Sequence, residues 1–186
     1  MQKSYSIAFS KRNLHVSCTP GSGYCTLLQS RHGPLLSNMR FLTDKLISLG
    51  VGWNERALSS DDFHKMCRRF RITVHEMPLT VGGFYYRAMG KDFIAVDSRL
   101  PEMEKLAVMF HELGHFLFHA PETGATASFH HLAGLTREEC EADIFALCAI
   151  LPRPMIESSS AEELINDGFP PTMIQERLAL FGRYGV

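Results

Sequence analysis

Apolar residues recur at helical spacing in several stretches of this chain and alternate in others. Phe41, Leu42, Leu46 and Leu49 share one face of the segment from Asn38 to Leu49, and Gly50 follows where a left-handed cap suits glycine, so a first helix is predicted there. Ser59 or Ser60 followed by Asp61 and Asp62 supplies oxygen acceptors for the first free amides of a second helix, which carries Phe63, Met66, Cys67 and Phe70 on one face. Alternation then takes over. Arg71 to Met77, Phe84 to Ala88 and Phe93 to Val96 read as strands, and the turn Met89, Gly90, Lys91, Asp92 makes the last two a hairpin. Pro101 stands where the first turn of a helix tolerates proline, and an apolar pattern runs from Leu106 to Phe118 until Pro121 breaks it. Further helices are predicted from Thr136 to Leu151, closed by Pro152 and Pro154, from Ser160 to Ile165, and from Pro171 to Phe181, with Gly182 and Gly185 ending the last. The class is α+β: a small, mostly antiparallel sheet packed on helices, with a short C-terminal helical pair.

Composition narrows the picture without changing it. With 186 residues, 45% hydrophobic and 21% charged, and a mean hydropathy of −0.05, the chain is neither fibrous nor wholly disordered and suits one domain with an appendage. Charge marks the boundary. Residues 1–38 hold Lys3, Lys11, Arg12 and Arg31 and no acid, which leaves 15 of the 19 basic residues against all 20 acidic ones, a net charge of −5, in the remainder. The Ser/Gly/Pro-rich run from Ser17 to Pro34 shows neither helical nor strand periodicity. Residues 1–37 therefore read as a basic, poorly ordered extension, and 38–186 as the folded domain, with 155–186 its C-terminal helical part. A nucleic-acid tail or a transit peptide suits such a leader less well, because it has only four cations and no cluster of arginines. The apolar stretch from Ala107 to Phe118 is interrupted by His111, Glu112 and His115, so no membrane span is expected. Five cysteines without a CxxC pair, and no secretory signal, point to a reducing cytoplasm.

The same interruption carries the chemistry. His111, Glu112, Leu113, Gly114 and His115 form an HExxH motif, whose four-residue spacing puts two imidazoles on one helical face where they can share a metal, with the glutamate beside a metal-bound water. Phe110, Leu113, Phe116, Leu117 and Phe118 surround these polar groups, and burying them without partners is costly, which favours a metal over a plain solvent face. The metzincin continuation is absent, since Phe118 and Pro121 stand where glycine and histidine belong. His119 lies about 12 Å along the axis from His111 and is expected only to face the negative end of its helix. Glu139 and Asp143 share one face of the following helix. A carboxylate ligand there would complete a His2Glu site, with the second carboxylate bonding a ligand imidazole. Glu139 also suits a capping box with Thr136. Glu141, rotated about 200° from Glu139, is expected to face away. Cys140 and Cys148 read as core residues. Tyr85, Tyr86, His130 and His131 are the candidates for stabilising a transition-state oxyanion.

HELGHFLFH followed by EECEADIFALCAILP resembles the ImmA/IrrE metallopeptidase family, whose pattern is a helix with HELGH and a second helix with ExxA(D/N)xFA, a leucine-rich run and a proline. FIAVDSRL upstream is similar to that family's strand pair, and GFPPTMIQERLALFG downstream to its closing helices. The resemblance spans about residues 40–184. It implies one zinc ion per chain held by His111, His115 and Glu139, with Glu112 as general base and Asp143 behind the ligands, in a domain that cleaves helix-turn-helix repressors in stress response or mobile-element control. A substrate strand is expected along the free edge of the strand ending at Val96. The alternative is a metal-binding sensor or partner-binding module that cuts nothing. A DNA-binding reading of Ser160 to Phe181 finds only Arg177 and Arg183 against Glu176 in a domain of net charge −5, so no direct nucleic-acid contact is expected.

Overall fold

The computed structural model describes residues 43–120, the backbone of residues 126–129, and residues 136–186. The expected extension, residues 1–37, and the pair His130 and His131 lie outside the described residues. Helix α1 is described over residues 43–49 and stops at Gly50, which takes a φ of 66°. Helix α2 (Ser60–Phe70) opens on a capping box: Ser59 Oγ accepts the Asp62 amide at 3.3 Å and Asp62 accepts the Ser59 amide at 3.1 Å. Its buried face, Phe63, Met66 and Cys67, is part of the face the periodicity selects, and Phe63 meets Phe110 edge-on at 5.8 Å.

Strands β1 (Ile72–Met77), β2 (Gly83–Ala88), β3 (Lys91–Asp97) and β4 (Thr126–Phe129) form one sheet in the order β1-β3-β2-β4. Two of its pairings are antiparallel, β2 with β3 and β2 with β4, while β1 runs parallel to β3. The hairpin turn is tighter than the sequence indicates: Met89 and Gly90 alone make it, both at positive φ (51° and 69°), as the twist of two-residue hairpins requires. Strand β3 has no free edge. Thr73 pairs with Phe93 on one side and Tyr85 with Ile94 on the other, so the substrate-strand site expected along β3 does not exist. Its run of Ile94, Ala95 and Val96, buried on successive faces, is the mark of an interior strand. Strand β4 arises in the stretch between Pro121 and Leu135 that the apolar pattern leaves without an element.

Helix α3 (Glu102–His119) begins directly after Pro101, a turn earlier than the apolar pattern, and lies against β2 and β3. Helix α4 (Arg137–Ile150) packs against α3, with Phe145 edge-on to Phe110 and Phe118. Three helices follow instead of a pair: α5 (Arg153–Ser158), α6 (Ala161–Asn166) and α7 (Pro171–Tyr184). Gly182 lies inside α7, which ends at Gly185. Arg177, a cation in the DNA-binding reading, is fully buried and donates to the Leu151 carbonyl (2.6 Å), the Val186 carbonyl (2.7 Å) and Asn54 Oδ1 (2.9 Å). It therefore offers nothing to a phosphate. Among the described residues no helix is long and apolar enough to cross a membrane.

Candidate metal centre

Gly114 decides how near α4 comes to α3. A β-carbon added there would lie 3.1 Å from the Ala142 Cα and 3.1 Å from the Phe145 ring, so the glycine between the two histidines is a contact point of the helices. That crossing sets Glu139 and Asp143, which flank Ala142 along α4, opposite His111 and His115. The HExxH pattern leaves position 114 open and so does not announce this contact.

The side chains of His111, His115 and Glu139 converge, each offering one ligand atom within 4.8 Å of the others. His111 Nε2 lies 3.2 Å from Glu139 Oε2, His115 Nε2 lies 3.3 Å from Glu139 Oε1, and the two Nε2 atoms are 3.0 Å apart. Both imidazoles are buried. His111 Nδ1 is 2.8 Å from Asp143 Oδ1, which leaves its Nε2 directed at the cluster. Thr136 Oγ1 accepts the Glu139 amide at 3.2 Å while the Glu139 carboxylate turns to the imidazoles, so the helix cap and the cluster use different atoms of one residue.

Charge in this cluster is unbalanced. Glu112 is fully buried and neither of its oxygens has a hydrogen-bond partner; burial, reinforced by Glu139 and Asp143, pushes it up to about 8. The neighbouring His111 opposes that shift without cancelling it. For His111, burial works against the charged form, but hydrogen bonds to Asp143 and Glu139 outweigh it and hold the imidazole up at about 10. Burial also raises Glu139, yet its contacts with the two histidines carry it well below the usual carboxylate range. Two imidazole nitrogens and a carboxylate oxygen facing one point, beside an unpaired buried carboxylate, are a donor set that fits a divalent cation.

The other candidates fare differently. The Tyr85 hydroxyl donates to Asp92 Oδ1 at 2.7 Å, and Arg87 holds the same carboxylate, so this phenol is engaged at the far end of the hairpin. Tyr86 lies on the opposite face of the sheet by strand alternation, stacked on Phe93 at 4.7 Å. Neither tyrosine hydroxyl joins the cluster. His119 stays outside the three-residue group, yet its role differs from a simple helix end: Nδ1 lies 3.2 Å from His115 Nδ1 and Nε2 lies 3.0 Å from Glu141 Oε2. Glu141 does not face away. It is buried under the end of α3, with its second oxygen on Arg137 Nε at 2.8 Å. The signal for the contact between His115 and His119 alone was present in HELGHFLFH, since the two repeat the spacing of His111 and His115.

A family model described as Peptidase_M78, IrrE N-terminal-like domain, matches residues 67–176, more than half of the chain, from α2 across the sheet and both helices of the cluster into α7. No curated protein and no solved structure matches the chain.

Proposed function

Since the chain belongs to the IrrE N-terminal-like family of metallopeptidases, we propose that it is a zinc-dependent endopeptidase that cleaves a helix-turn-helix transcriptional repressor in the cytoplasm, relieving repression in stress response or mobile-element control. The observation that carries the peptidase chemistry is the convergence of His111, His115 and Glu139 beside Glu112, a buried carboxylate with no hydrogen-bond partner. His111, His115 and Glu139 would hold the metal, and a set of two imidazole nitrogens and one carboxylate is the donor chemistry that suits zinc. When bound, zinc supplies Lewis acidity that polarises a scissile carbonyl and acidifies water. The protein's own part begins with Asp143, which accepts the Nδ1 proton of His111 and keeps the Nε2 lone pair directed at the site. Glu112 then removes a proton from the attacking water and returns it to the leaving amine, a task suited to a carboxylate whose proton affinity burial has raised. The repressor as substrate is supported by the resemblance of the motifs, and the acidic, net −5 domain suits a protein partner better than nucleic acid.

Co-expression with candidate helix-turn-helix repressors tests the reading. A repressor fragment that appears with the wild type, disappears on chelation and returns with zinc is the expected result. Stoichiometric zinc with no cleavage of any repressor would favour a metal-binding sensor, and protein that retains no divalent metal would remove both readings.

A further inference from the structure

Two imidazoles face the cluster, but only His111 has a carboxylate on its remaining nitrogen. His115 has His119 instead, and the chemistry of that contact sets a direction. If His115 Nε2 is to ligate, it carries no proton, so the proton of the neutral ring sits on Nδ1. That Nδ1–H points at His119 Nδ1, 3.2 Å away, which must then be the acceptor. His119 consequently carries its own proton on Nε2 and donates it to Glu141 Oε2 at 3.0 Å. Glu141 is buried, and its other oxygen accepts from Arg137 Nε at 2.8 Å. Every donor in the series has one acceptor, and the series ends on an anion held by a cation.

We propose that His119 and Glu141, backed by Arg137, are positioning residues that fix His115 in the Nδ1–H tautomer and hold its Nε2 on the metal, a histidine-relayed counterpart of the direct Asp143 contact to His111. This rests on the metal-centre reading above and adds to it two residues outside the ligand set. The alternative is that the same bonds merely tie the end of α3 to α4. The two roles separate because the first depends on an acceptor at one atom and the second on bulk and packing.

The experiment compares His119→Phe, which keeps the ring and loses the acceptor, with His119→Asn, whose amide oxygen overlays Nδ1, and His119→Gln, whose amide overlays Nε2. Zinc affinity is measured by competition with a graded chelator, site geometry by the visible absorption of the cobalt-substituted protein, and fold by melting of the metal-free protein. His119→Phe is expected to lower zinc affinity by about 10- to 100-fold and to alter the cobalt spectrum with little change in metal-free melting, while His119→Asn restores most of the affinity. Glu141→Gln is expected to weaken zinc in the wild-type background and to add nothing in the His119→Phe background. Should His119→Phe not fold, the comparison of Asn with Gln decides: Asn retaining affinity and Gln losing it supports the relay. Unchanged affinity in His119→Phe, equal loss in Phe and Asn, or independent effects of Glu141 would overturn the relay and leave the metal centre standing. A wild-type protein without affinity for zinc or cobalt would overturn both.

Discussion

Glu112 is a buried carboxylate with neither oxygen hydrogen-bonded, and burial raises it to about 8. Replacing it by glutamine keeps the shape and removes the proton acceptor. Turnover of a cleaved repressor should fall by about 100-fold or more with zinc content unchanged, as single-turnover assays and metal analysis would establish. Lost metal would instead make Glu112 a ligand. The pH dependence follows from the same groups. Glu112, raised from about 4.5, and His111, raised from about 6.5 to about 10, both bind more protons in the folded state, so their contributions to stability are present at mildly acidic pH and are lost as pH rises through those values. Metal-free protein should therefore melt progressively lower between about pH 5 and pH 9, and Glu112→Gln should flatten the lower part of that fall. Asp143→Ala should weaken zinc retention by about 10- to 100-fold, whereas a merely solvated helix residue would change stability by about half a kcal/mol or less. The cluster residues were readable because two motifs with i, i+4 spacing lie on adjacent helices. The partnership of His119 with Glu141 was not, because it depends on how those helices cross.

That crossing belongs to the elements. Gly114 faces Ala142 and the Phe145 ring, both rigid, so the β-carbon of Gly114→Ala gains about 1 kcal/mol in helix propensity against an overpacking cost of about 1–3 kcal/mol. Melting should drop by a few degrees, and zinc affinity should fall because Glu139 and Asp143 move with α4; a variant binding zinc as tightly as the wild type would show that the helices have slack. The start of α2 was legible from a hydroxyl followed by carboxylates, and the end of α1 from Gly50. The interior position of β3 was partly legible in its unbroken apolar run. Strand β4 was not, since four residues join the sheet through backbone pairing with β2, which no side-chain periodicity announces. The capping box carries its own pH signature. Arg56 and the Ser59 bonds hold Asp62 well below the usual carboxylate range, so that stabilisation is present above about pH 4 and is lost under stronger acid.

Across the whole molecule, the link from β1 to β2 must pass over the end of β3, and Asp97 fastens it there: its carboxylate accepts the Leu79 and Arg99 amides at 3.3 and 3.1 Å, while its own amide donates to the Gly82 carbonyl at 2.8 Å. The class and the helix-bearing domain were readable from periodicity, but strand order was not, because nothing in a short alternating segment says whether a neighbour pairs in parallel or antiparallel. The burial of Arg177 was equally hidden, for its three acceptors come from positions as distant as Asn54 and Val186. Strand order also implies a sequence of events in time. Strands β2 and β3 close through two residues and can meet within microseconds, whereas β1 must find the far edge of β3 after a longer loop has been ordered. The hairpin should already be formed at the folding barrier and β1 should dock after it. Gly90→Ala, strained at positive φ, is then expected to slow refolding with little effect on unfolding, while Ile72→Val on β1 mainly accelerates unfolding. Stopped-flow chevrons of the two variants would read that order directly, and the protein would thus acquire the hairpin whose strand β2 sets Gly83 against the Glu112 side chain before it acquires the β1 edge of its sheet.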